Sequence, residues 1–260
     1  MQRKKSCTFA MHPIAVVVLL GAGWHATAQD AKALYPNMAP VDQYLIADRN
    51  EEIALARSAA PDSVSRDAGV MVLGSHGYET AIQGKNGFVC IVERSWMSPP
   101  DDADFWNPKL RAPLCLNAAS ARSYLPRTIK RTELILAGRT KAQMVEAMTA
   151  AIDSKELPPM EPGAMCYMLS KQGYLNSRDG HWHPHLMFFV SQAEPATWGA
   201  NMPGTPILAF DDASGHFTTF LVPVHQWSDG TQRFRKASLL RAETGEGSGI
   251  VKVGEVDSLL

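Results

Sequence analysis

Histidine recurs at every second position in the run His181-Trp182-His183-Pro184-His185, immediately before the apolar stretch 186–190. In an extended chain, side chains two apart share a face and sit roughly 6.5–7 Å apart along it. Two imidazoles at that spacing can grip one metal ion, and Pro184 biases His183 toward the extended conformation the grip needs. All three histidines span about 13 Å at the same rise, so one ion takes two of them and a further ligand from elsewhere. His216, His225, Asp211 and Asp212 fall at the ends of neighbouring extended segments and are the candidates for that ligand. The same pattern also suits general acid–base work, or a solvated strand entry at a sheet edge, because Pro184 cannot donate to a β-ladder.

Cys166 adds a softer donor. It lies beside Met165 and two residues before Met168, and Met187 follows the histidines. Thiolate, thioether and imidazole together suit Cu(I), while the histidines alone suit a divalent ion, zinc or copper. Methionine in strands also serves as core filling. A Cys166–His183 or Cys166–His185 pair would supply a nucleophile and its base for hydrolase-type chemistry, although nothing around Cys166 matches a cysteine-hydrolase signature. The run 96–106 sets Trp96, Phe105 and Trp106 beside Asp101, Asp102 and Asp104. Sugar binding or glycoside cleavage uses such a composition, and so does a solvated loop anchored by its aromatics. The G-x-S-x-G, S-x-x-K, H-E-x-x-H, P-loop and dinucleotide-glycine motifs do not occur, which disfavours serine hydrolase, zincin, NTPase and Rossmann oxidoreductase readings.

The elements that must position these residues follow from patterning. Tyr44, Leu45, Ile46, Ile53, Leu55 and many alanines between Pro40 and Pro61 predict an N-terminal helix, interrupted near Asp48 or Asn50. Three apolar segments, 69–73, 78–82 and 88–92, predict an N-terminal β-meander, with Asn86-Gly87 supplying the positive φ angles of a tight turn. A polar, proline-rich excursion over 98–113 leads to a central helical segment at 117–124 and again at 140–153. Thr140 and Gln143 have capping-box spacing, and Pro158-Pro159 end the helical region. Runs at 164–169, 185–190, 206–210 and 217–224 make the C-terminal half mainly β. Strands that follow one another without helices between them pair antiparallel, so the expected class is α+β with antiparallel sheets.

Arg3, Lys4 and Lys5, the apolar stretch 14–20 and the small-x-small site Ala26-Thr27-Ala28 form the three parts of a secretory signal peptide over residues 1–28. The stretch is too short and too interrupted to span a membrane, so no span is expected once the signal is cleaved. The remaining organisation is a single globular α+β domain over 29–240 and a Gly- and Glu-rich, loosely held tail over 241–260. Cleavage leaves 22 basic against 26 acidic side chains, a net charge of −4 with histidine neutral, which argues against nucleic acid as a partner.

The segments 86–94 (NGFVCIVER), 162–168 (PGAMCYM), 180–189 (GHWHPHLMFF) and 222–230 (VPVHQWSDG) resemble those of an uncharacterised exported bacterial protein family, over most of the mature chain. The resemblance implies export and a bacterial source, and carries no fold, activity or site residue. The expected protein is exported and soluble, periplasmic or extracellular. Its activity is left open between metal binding with zinc or copper and a His-centred hydrolase. In a disulfide-permissive compartment Cys90, Cys115 and Cys166 allow one bridge; Cys90–Cys115 is favoured because the excursion before Cys115 can return it to the strand of Cys90. Intact-mass measurement of the exported protein should show a chain beginning at or near Gln29. Retention of residues 1–28 would contradict the signal-peptide reading.

Overall fold

A computed structural model describes residues 34–176, 182–212 and 215–233. The expected signal peptide, the expected C-terminal tail and His181 lie outside the described residues. Every described residue belongs to one compact unit. Among the described residues no helix is long and apolar enough to cross a membrane.

Eight strands form one sheet: β1 (Gly69–Gly74), β2 (Gly77–Ile82), β3 (Val89–Glu93), β4 (Ala112–Leu116), β5 (Met165–Met168), β6 (His185–Ser191), β7 (Leu208–Asp212) and β8 (Phe217–Pro223). Their spatial order is β2-β1-β3-β4-β5-β6-β8-β7, and every pairing is antiparallel except β1 with β3. Helix α1 (Arg49–Arg57) packs over β1, β3 and β4, and a short α2 (Asp62–Ser65) follows it. Helices α3 (Ala118–Ser123), α4 (Leu125–Leu136) and α5 (Lys141–Asp153) form a second group, in which α3 packs on β4 and β5 and α4 packs on β2 and on α5. The expected α+β class is the observed one.

Local chemistry accounts for the helix boundaries. Asp48, read as an interruption, caps α1 by accepting from the Asn50 N–H at 2.7 Å. The Thr140–Gln143 capping box closes in both directions at the start of α5. Helix α4 is not among the expected elements; its Pro126 stands in the first turn, where the missing N–H of proline costs nothing.

Two strand expectations need correction. The three N-terminal strands lie where patterning puts them, but β3 sits beside β1 and runs parallel to it, so they do not form a meander. The cause is a close crossing of backbones. Residues 83–88 pass over the start of β1, with Gly69 N–H donating to Phe88 O and Lys85 N–H to Asp67 O, each at 2.8 Å. A Cβ on Gly84 would stand 2.2 Å from the Gly69 nitrogen, so only glycine permits the crossing. Of the Asn86-Gly87 pair expected to supply positive φ angles only Gly87 has one, within this crossing loop rather than a two-residue hairpin turn. The second correction is β4, a strand not expected, whose first two residues fall inside the expected polar excursion. Strand β5 pairs with β4 only at Cys115 and Leu116, so Pro113 faces no ladder on that side and its missing donor is not needed.

One buried ion pair ties the first helix to the sheet. Arg94 and Glu52 meet at 2.8 Å with essentially no solvent exposure. Arg94 also donates to the Tyr44 carbonyl at 2.6 Å, and Glu52 accepts from the Leu73 N–H at 3.1 Å. Removing one partner would strand a charge in the core, at a cost of about 3–5 kcal/mol.

Cys90 and Cys115 are direct partners across the β3–β4 pair and form a disulfide, while Cys166 is free and buried. Non-reducing peptide mapping should recover a Cys90–Cys115 linked peptide and one alkylated thiol at Cys166. The Cys90→Ala/Cys115→Ala variant should lose about 3 kcal/mol of unfolding free energy in urea, the loop-closure value for this separation. A Cys166-linked peptide would contradict the pairing.

Candidate functional site

The site is built where β5 and β6 pair. Their ladder sets Cys166 opposite Met187 and Met168 opposite His185. Residues directly opposite on an antiparallel pair share a face, and so do residues two apart on one strand. Cys166, Met168, His185 and Met187 therefore occupy four corners of one patch, about 4.5–5.5 Å between opposed Cβ atoms and about 6.5–7 Å along each strand. Cys166 and Met168 are buried in the cluster that also holds Leu114, Leu116, Tyr124 and Phe189, and Met187 packs against that cluster. His185 is only 7 % exposed.

The imidazole of His185 is held by its surroundings. Its Nδ1 lies 2.6 Å from the His183 carbonyl oxygen. A carbonyl only accepts, so the neutral ring carries its proton on Nδ1 and keeps a lone pair on Nε2. Burial pushes the His185 pKa down and favours this neutral form. Trp182 meets the ring edge to face at 5.9 Å between centroids, with its own Nε1–H donating to the Ser170 carbonyl at 3.0 Å. Gly173 makes room for that indole, since a Cβ there would stand 2.4 Å from it.

His183 has different partners. Its Nε2 lies 3.1 Å from Nη2 of Arg233, whose backbone N–H donates to the His225 carbonyl at 2.7 Å. The Val224 N–H donates to the Pro184 carbonyl at 2.8 Å, and the β6–β8 register pairs His185 with Pro223. The two chains are thus still joined one residue past the ladder, with His183 and His225 next along each. His216 and the two aspartates lie elsewhere. His216 occupies the turn before β8, exposed and 3.9 Å from Asp153, whereas His225 follows the far end of that strand. Asp211 accepts from the Thr218 hydroxyl at 2.8 Å and Asp212 from the Gly215 N–H at 2.7 Å. Among the described residues no group of three or more His, Cys, Asp and Glu is disposed to hold a metal ion.

Cys166 does not have the environment of a nucleophile. Burial pushes its thiol pKa well up, and the negative charge of Glu93 adds to the rise, against a main-chain hydrogen bond at Met187. His185 stands diagonally from it across the ladder rather than directly opposite, and no hydrogen bond joins the two among the described residues. The aromatic loop offers no open stacking platform either: Trp96, Phe105 and Trp106 are buried, and Trp96 Nε1–H donates to Thr132 Oγ1 at 3.0 Å.

Sequence reasoning missed Glu93. This carboxyl, at the end of β3, accepts from Thr128 Oγ1 at 2.9 Å and also hydrogen-bonds Tyr124. Burial raises its pKa to about 7, against the lowering effects of Thr128, Tyr124 and Arg131. The available signal was a charged Glu93-Arg94 pair closing an otherwise apolar strand.

No protein-family model, curated protein or solved structure matches this chain.

The folded protein keeps the Glu93 proton up to about pH 7, whereas an unfolded glutamate releases it near 4.5. Stability from this group is therefore complete at low pH and is lost as pH rises through about 7, by roughly 3 kcal/mol in total. Urea unfolding at about pH 5 and about pH 8 should show Glu93→Gln losing less stability across that interval than wild type. Equal losses in the two proteins would contradict this assignment.

Proposed function

We propose that this chain is exported and binds a transition metal ion outside the cytoplasm, with His185 and Cys166 as its anchoring ligands. The observation that carries the reading is the β5–β6 register, which puts both residues on one buried face. His185 is neutral with Nε2 free of its proton, the form a metal requires, and its Nδ1–H is oriented by a carbonyl as ligating histidines commonly are. Imidazole nitrogen and cysteine sulfur serve both zinc and copper. The basic leader with its small-x-small site supports export, and the Cys90–Cys115 disulfide suits an oxidising compartment.

His183 and His225 are a weaker place for a cation. Arg233 already donates to the His183 ring, and its fixed positive charge opposes a second one.

Metal addition to the purified mature protein should raise its melting temperature, since ion at about 100-fold over Kd contributes about 2.7 kcal/mol. Cys166→Ser and His185→Gln should each weaken binding at least about tenfold, and His183→Ala and His225→Ala should leave it within about twofold. Neither zinc nor copper binding to wild type, or full binding by the Cys166→Ser/His185→Gln double variant, would overturn the reading.

A further inference from the structure

We infer that the ion is Cu(I), held by Cys166, Met168, Met187 and His185 together. This rests on the metal-binding reading above and names the ion and the two ligands that reading leaves open. Among the described residues no third His, Cys, Asp or Glu joins Cys166 and His185 in a metal-binding group, and the side chains that share their face are thioethers. The ladder supplies two: Met168 stands directly opposite His185, and Met187 directly opposite Cys166. Three sulfurs and one imidazole form a soft set, which selects Cu(I) over zinc or the hard divalent ions.

Charge leads to the same ion. When loaded, the patch carries one negative ligand, the Cys166 thiolate, and three neutral ones. A monovalent ion makes the complex neutral, whereas a divalent ion leaves a net positive charge among Leu114, Leu116, Tyr124 and Phe189, where an unpaired charge is costly. The Cys90–Cys115 disulfide matters here too, since it leaves Cys166 without an intramolecular partner among the cysteines of the domain. On loading, the copper–sulfur bond forms as the Cys166 thiol gives its proton to solvent. No electron is transferred, because the ion arrives already in the +1 state.

The test is anaerobic titration of the full mature chain with Cu(I) against a chromogenic Cu(I) chelator, alongside zinc titration. Met168→Leu and Met187→Leu serve as probes because they conserve volume while removing the sulfur. Wild type should bind one Cu(I) per chain. Each methionine variant should weaken Cu(I) at least about tenfold while melting like wild type and binding zinc unchanged. Silver(I), a redox-inert monovalent ion, should follow the Cu(I) pattern. If zinc binds in a Cys166- and His185-dependent way but both methionine variants keep wild-type Cu(I) affinity, the copper assignment is overturned and the metal reading stands. If neither ion binds wild type, both are overturned.

Discussion

The register of β5 against β6 is the constraint on which the proposed site depends. Because side chains alternate across a strand, a slip of one residue would carry Cys166 and Met168 to the face occupied by Tyr167 and separate them from His185 and Met187. Burial holds the register in place. Cys166 and Met168 belong to a core cluster with Leu114, Leu116 and Phe189, while Tyr167 packs on the opposite side of the sheet with Cys90, Val92 and Cys115. A slipped pairing would exchange those two populations. The four-residue β5 is thus fixed by packing on both faces more than by its few ladder hydrogen bonds.

The rest of the fold keeps those neighbours in position. The buried Glu52–Arg94 pair fastens α1 to the sheet, and the Gly84–Gly69 crossing allows β3 to reach the far side of β1. Strand β4 then stands between β3 and β5, joined to the first by the disulfide and to the second by a short ladder. On the other face, Tyr124 stacks on Phe189 at 4.1 Å between centroids and reaches Glu93 by a hydrogen bond. One residue thereby links the helical layer, the buried carboxyl and the core beside Cys166.

Much of this architecture was legible in the sequence wherever a local rule decides the outcome. Alternation and turn residues marked seven of the eight strands, the Thr140–Gln143 spacing marked the start of α5, and cysteine placement marked the disulfide. The failures come from two kinds of long-range fact. Pro113 and Pro126 are breakers by local rules, and only the pairing around β4 and the first-turn position in α4 make them harmless. The parallel β1–β3 pairing depends on two glycines fifteen positions apart touching. At the site, the histidine run drew attention to spacing along one strand, although the four-residue patch is assembled across two. His185, Cys166, Met168 and Met187 were each visible, but their grouping required the β5–β6 register, and Glu93 required the burial that α4 imposes.

In the proposed site, one buried patch on β5 and β6 supplies the whole coordination sphere of a bound ion. X-ray absorption at the copper edge of the anaerobically loaded protein tests this most directly, because it counts the atoms bonded to the metal. The expected result is a monovalent edge and a first shell of three sulfurs and one imidazole nitrogen, with a sulfur lost in Met168→Leu. A shell of nitrogen and oxygen alone would contradict it.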